Sequence, residues 1–183
     1  MKFNQHTELE VLIPQHISMF CVATAHAILL NSIITYIYGY YLLSICEFGL
    51  YISSVIFWSK VRHNGIEKNI DICLVIINCC YGTYISFTLP IYYNIFWLCT
   101  ISFCCLTFIM NEYIFYYQVR IHYNKYIPTK TDEITKYNWF SLDYTNPHTH
   151  NREMAYYRST ITHGTILHII TSISSIYCIT HSK

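Results

Sequence analysis

Apolar residues run almost unbroken through five stretches, near residues 17–36, 40–58, 70–89, 92–115 and 159–180, with only short links between the first four. Each stretch supplies about the 20 residues that an α-helix needs to cross a hydrocarbon core roughly 30 Å thick. The runs are continuous, whereas a membrane-spanning strand would show about ten residues of alternating polarity. The pattern therefore predicts an all-α, polytopic transmembrane bundle of about five spans. The long fourth stretch and the Ser- and Thr-rich fifth leave counts of four and six open. Tyr36-Ile37-Tyr38-Gly39-Tyr40 reads as an aromatic link at the headgroups, and Leu89-Pro90 as a stop between the third and fourth spans.

The one long polar stretch, 119–157, reads as a cytosolic loop lying partly on the interface through Ile134, Tyr137, Trp139, Phe140 and Leu142. At that length it is too small to fold as a separate domain, so 1–183 reads as a single transmembrane domain. Charge gives the bundle a direction. With five spans, Lys2, then Lys60, Arg62 and Lys68, then all six basic residues from Arg120 to Arg158 fall on one side, against Lys183 alone on the other. Basic residues collect on the cytosolic face, which places the N-terminus in the cytosol and the C-terminus outside. The N-terminus also lacks the basic start and cleavage site of a secretory signal, so the first helix is expected to stay.

Composition sharpens this picture by exclusion. Only 11% of residues are charged and 54% are hydrophobic, where soluble domains run near a quarter charged. A net charge of +1, with no basic run interleaved with aromatics, argues against a nucleic-acid partner. The expected partners are the lipid bilayer and, in an assembly role, other membrane subunits. All nine cysteines fall inside apolar stretches without a C-x-x-C pair, so they read as packing residues, with Cys79-Cys80 and Cys104-Cys105 turned to different helix faces.

Ionisable side chains inside a span are costly, which makes each a candidate functional residue. They are His26 in the first span, Glu47 in the second, Asp71 at the third, Glu112 late in the fourth, and His163 and His168 in the fifth. Glu47, Tyr51, Ser54 and Trp58 share a helix face directed at neighbouring helices. The Glu47 carboxyl is expected to be uncharged at pH 7, serving as an interhelical contact or a proton carrier. In the fifth span Thr160, Gly164, His168, Thr171 and Ser175 form a seam of small and polar residues suited to close helix approach. His163 and His168 are five residues apart, about 140° around an α-helix, and are therefore expected to face different ways. His148-Thr149-His150 is a weak metal-binding pattern and reads as surface histidines.

The order Ser54-Val55-Ile56-Phe57-Trp58, Asp71 and Gly164-Thr165-Ile166-Leu167-His168 resembles the S-x-x-x-H, Asp and H-x-x-x-H pattern of the CREST superfamily. These are multi-span membrane hydrolases that include alkaline ceramidases and the progestin and adipoQ receptors. The resemblance implies a zinc-dependent lipid amide or ester hydrolase in which Ser54, Asp71 and His168 carry catalysis and His168, His163 and Asp71 hold zinc. The orientation matches the receptor branch. Trp58 and Gly164 stand where two zinc-binding histidines belong, and five spans replace seven. A complete site would then need His163, His63 or Glu112 as substitutes. The expected outcome is a protein that keeps the fold without the hydrolytic chemistry and without a bound cofactor. A structural or assembly role in a membrane leads, with a degenerate zinc hydrolase and a proton- or cation-coupled transport element on Glu47 and His26 as alternatives.

Overall fold

The computed structural model describes residues 13, 15–61, 66–115 and 150–182, with side chains for 13, 15–61, 66–111 and 156–182. Its elements are helices throughout: α1 (Gln15–Ile37), α2 (Tyr41–Ser59), α3 (Ile66–Ser86) and α4 (Ile91–Phe115), then α5 (His150–Thr162), a π-helical segment (His163–Ile170) and α6 (Thr171–His181). The last three follow one another without a break and form one rod. Among the described residues four helices, α1 to α4, are long and apolar enough to cross a membrane, which fits a membrane-embedded protein.

The side chains are arranged inside out. Ile45 (67% exposed), Leu106 (61%) and Ile56 (53%) face outward, while Ser18, Asn31, Thr35, Glu47, Ser54 and Asp71 are buried. In hydrocarbon there is no apolar gain in burying leucine, whereas each polar side chain must find a partner inside the bundle. The polar residues of α1 and α2 do so across their seam. Ser32 and Ser44 exchange bonds, the Ser32 hydroxyl donating to the Ser44 carbonyl at 2.9 Å and the Ser44 hydroxyl to the Ser32 carbonyl at 2.8 Å.

Helix ends follow from local chemistry. Gly39, at φ 87°, closes α1 with the Tyr40 N–H on the Thr35 carbonyl at 2.9 Å and its own N–H on Tyr36 at 3.0 Å, the paired bonds of a Schellman cap. Pro90 precedes α4, and its carbonyl accepts the N–H groups of Tyr93 and Asn94. α3 starts at Ile66, four residues before the expected 70, because Glu67 in its first turn suits the positive end of the helix dipole. The expected loop 119–157 lies outside the described residues as far as 149. From His150 onward the chain is already helical, so its last eight residues belong to the rod.

The helices pack as a closed ring. α1 lies against α2 and against the C-terminal rod, α2 against α3, α3 against α4, and α4 back against the rod. Gly164 lets the rod approach α1 closely. A Cβ there would stand 2.6 Å from Thr24 Oγ1 and 2.8 Å from Phe20 Cε1.

Candidate functional site

Inside the ring lies an elongated, mostly apolar cavity of about 550 Å³, open in part to the surface and bordered by side chains from α1 to α4 and the rod. One end holds the residues singled out by the resemblance. Ser54, near the end of α2, is 1% exposed and donates to Asp71 Oδ1 at 2.7 Å. Ser53 donates to the same oxygen at 2.7 Å. Ser53 was not among the expected site residues, although its place beside Ser54 at the end of a span was the available signal.

His168 borders the same end of the cavity and is buried, with its Nδ1 3.0 Å from Thr24 Oγ1 on α1. His163 borders it too, and here the α-helical expectation fails. The rings of His163 and His168 stand 5.1 Å apart at 89°, not on different sides of the helix. The cause is the π-helical segment beginning at His163, whose i→i+5 hydrogen bonds bring residues five apart onto one face. Trp58 is buried with its ring 4.7 Å from that of His163. The volume beside Gly164, where a second histidine would project, is taken by Thr24 and Phe20.

Two chemical consequences follow. Ser54 has a carboxylate acceptor for its proton, but among the described residues no hydrogen bond joins either histidine to Ser54 or Asp71, so a relay from serine to histidine is not assembled. Nor does zinc fit. Among the described residues no group of three or more His, Cys, Asp or Glu is arranged to hold a metal ion, while a catalytic zinc needs about three protein ligands and an open position. His63, and the side chain of Glu112 on α4, lie outside the described residues, as do His148 and the side chain of His150.

Further along the cavity Glu47 is 5% exposed, with Asn31 Nδ2 2.5 Å from Oε1 and Thr35 Oγ1 2.8 Å from Oε2. Both partners sit one helical turn apart on α1, opposite Glu47, and neither was anticipated. His26 is exposed instead. Its Nδ1 lies 3.1 Å from the Val22 and Ala23 carbonyls, and its ring packs on Tyr51 at 5.5 Å, away from the cavity. Both members of each vicinal cysteine pair border the cavity, and they differ in burial, Cys79 being half-buried beside an exposed Cys80 and Cys104 buried beside an exposed Cys105. No family model, curated protein or solved structure matches this chain.

Proposed function

We propose that the chain is a multi-pass membrane protein crossing the bilayer five times, N-terminus in the cytosol, whose central cavity binds a single-chain amphiphile without cleaving it. The cavity carries the reading. On α2 it extends from Ser54 to Leu43, about 16 Å along the axis, and on α3 from Asp71 to Ser86, about 22 Å. Its length and mostly apolar lining suit an extended hydrocarbon chain. Polar groups at one end of an apolar cleft are the usual arrangement for orienting a ligand.

A purely structural or assembly role leaves this volume and its polar end without a use. Hydrolysis through zinc lacks a fitting ligand set among the described side chains. Transport built on Glu47 and His26 is weakened because His26 faces outward while Glu47 borders the cavity.

Filling the cavity tests the proposal. Val75→Trp should leave folding in detergent intact and reduce labelling by a photoactivatable hexadecanol about tenfold. Unchanged labelling would dismiss the cavity as a binding site, and stoichiometric zinc retained by the wild type but lost in His168→Ala would favour the hydrolase instead. Orientation is tested separately in a background without the native cysteines. A cysteine at Arg62 should react with an impermeant maleimide only after permeabilisation, because ten of eleven basic residues lie on that side. Labelling of Arg62→Cys from outside intact cells would reverse the topology.

A further inference from the structure

Among the described residues that border the cavity, the exposed ones all belong to two neighbouring helices, Ile76 and Cys80 to α3 and Cys105 and Ile109 to α4. Cys73 and Ile77 on either side of Ile76, and Leu106 and Met110 on either side of Ile109, are exposed without bordering it. Ile76 and Ile109 therefore stand where the outer surface turns inward. The cavity opens between α3 and α4.

The packing of these two helices shapes the opening. Toward their connecting turn they are pinned together: a Cβ at Gly82 would stand 2.9 Å from the Trp97 ring, Trp97 Nε1 donates to Thr83 Oγ1 at 3.3 Å, and Asn94 Nδ2 donates to Ser86 Oγ at 3.0 Å. Farther along, the thiols of Cys79 and Cys105 interact across the seam. Beyond the thiols each helix is held by a different neighbour, α3 by α2 through Asp71 with Ser53 and Ser54, and α4 by the rod through the Asn111 amide on the Ser159 carbonyl at 3.1 Å. The opening is thus a window along α3 from Cys79 to Asp71, about 12 Å long, edged by Ile76 and Ile109. It leads directly to the polar end of the cavity, where Ser54, Asp71, His163 and His168 lie.

The rim is apolar and falls inside the span Ile66–Ser86, not at either end of it. A helix is about 10 Å across and cannot seat in a seam closed at Gly82 and at Cys79, whereas an alkyl chain about 4 Å wide can pass below them. At this depth a charged head group is costly and a small neutral one is not. We infer that the cavity takes its ligand sideways from the bilayer through the window between α3 and α4, and that this ligand is an uncharged lipid whose small polar head passes Ile76 and Ile109 to reach Ser54 and Asp71. This rests on the amphiphile-binding reading and adds the route and the class of head group.

The experiment uses the full chain in phosphatidylcholine nanodiscs. Photoactivatable hexadecanol is bound, then chased with excess unlabelled hexadecanol, and flashes at intervals report what remains. Ile76→Trp combined with Ile109→Trp sets two indoles in the window, at exposed positions that folding tolerates. The chase half-time should lengthen about tenfold, while labelling before the chase stays at the wild-type level. Leu106→Trp, on the outer surface clear of the window, should change neither. Hexadecyltrimethylammonium, which the Asp71 carboxyl would attract once inside, should fail to chase the probe. A wild-type half-time in the double variant, or a chase by the ammonium as fast as by hexadecanol, overturns the inference and leaves the amphiphile-binding reading standing. Independently, a nitroxide on Ile109→Cys, in the background without native cysteines, should collide with oxygen and not with a water-soluble nickel chelate. Collision with the chelate would put the opening in water, and collision with neither would put another protein over it, each overturning the lateral route. Failure of the probe to label the wild type at all overturns both readings.

Discussion

Glu47→Lys should abolish the folded state, whereas Glu47→Gln should leave most of it. The carboxyl sits midway along α2, and each of its oxygens has a donor from α1, Asn31 on one and Thr35 on the other. Glutamine keeps the shape and one acceptor oxygen, and the neighbouring amide of Asn31 can reverse to suit it. Interhelical hydrogen bonds in membranes average about 0.6 kcal/mol and reach about 1.7, so the cost of Gln should stay near 1 kcal/mol. Lysine loses both bonds and places a charge at mid-span, which costs about 2.5–3.5 kcal/mol on insertion scales. With two donors then left facing a cation, the total should exceed 4 kcal/mol, a large part of the stability of a small bundle. Denaturation by added SDS in mixed micelles measures both variants. If Gln unfolds the protein as badly as Lys, the carboxyl is charged and paired, and the expectation of an uncharged Glu47 fails.

The contrast between what the chain announces and what it hides is physical. The first four helices lie within a few residues of their apolar runs because hydrocarbon leaves a backbone only one way to satisfy its hydrogen bonds over 20 residues. Ser54 and Asp71 were brought together in the sequence only by the resemblance, and the contact between them joins the end of α2 to the start of α3. The His163–His168 pairing was not legible, because the 140° separation assumes an α-helix throughout. A signal was present in the small and polar residues at Thr160, Gly164, His168 and Ser172, which hold a strict four-residue interval. On a 3.6-residue helix that interval drifts by about 40° per step, and the wider π turn takes up the drift. Asn31 and Thr35 escaped notice as partners of Glu47 because neither is ionisable. Their one-turn spacing on the helix preceding an intramembrane acid is the clue that pairs them.

Gly164→Ala should destabilise the bundle, although alanine is the better helix former by about 1 kcal/mol. The reason lies in what already occupies the space. A Cβ at 164 would stand 2.6 Å from Thr24 Oγ1, and this hydroxyl has little freedom to retreat, being bonded to the Cys21 carbonyl at 3.2 Å and to His168 Nδ1 at 3.0 Å. Phe20, the other neighbour, is 38% exposed on the outer surface and has room to swing away. The threonine contact therefore decides the sign. Overpacking a tight contact costs about 1–3 kcal/mol, which outweighs the gain in propensity, and Gly164→Leu should exceed that range and separate the rod from α1. Thr24→Ala alone should cost about 1 kcal/mol or more, because it leaves the His168 nitrogen buried without its partner. Combining Thr24→Ala with Gly164→Ala removes the oxygen that the new methyl strikes, so the double variant should be more stable than the sum of the two singles by at least about 1 kcal/mol. Thr24→Ser keeps the oxygen and should give no such relief. Strict additivity of Thr24→Ala and Gly164→Ala in SDS unfolding would mean that Gly164 and Thr24 are not in contact, and the seating of the π-helical segment on α1, which directs His168 toward the cavity, would have to be redrawn.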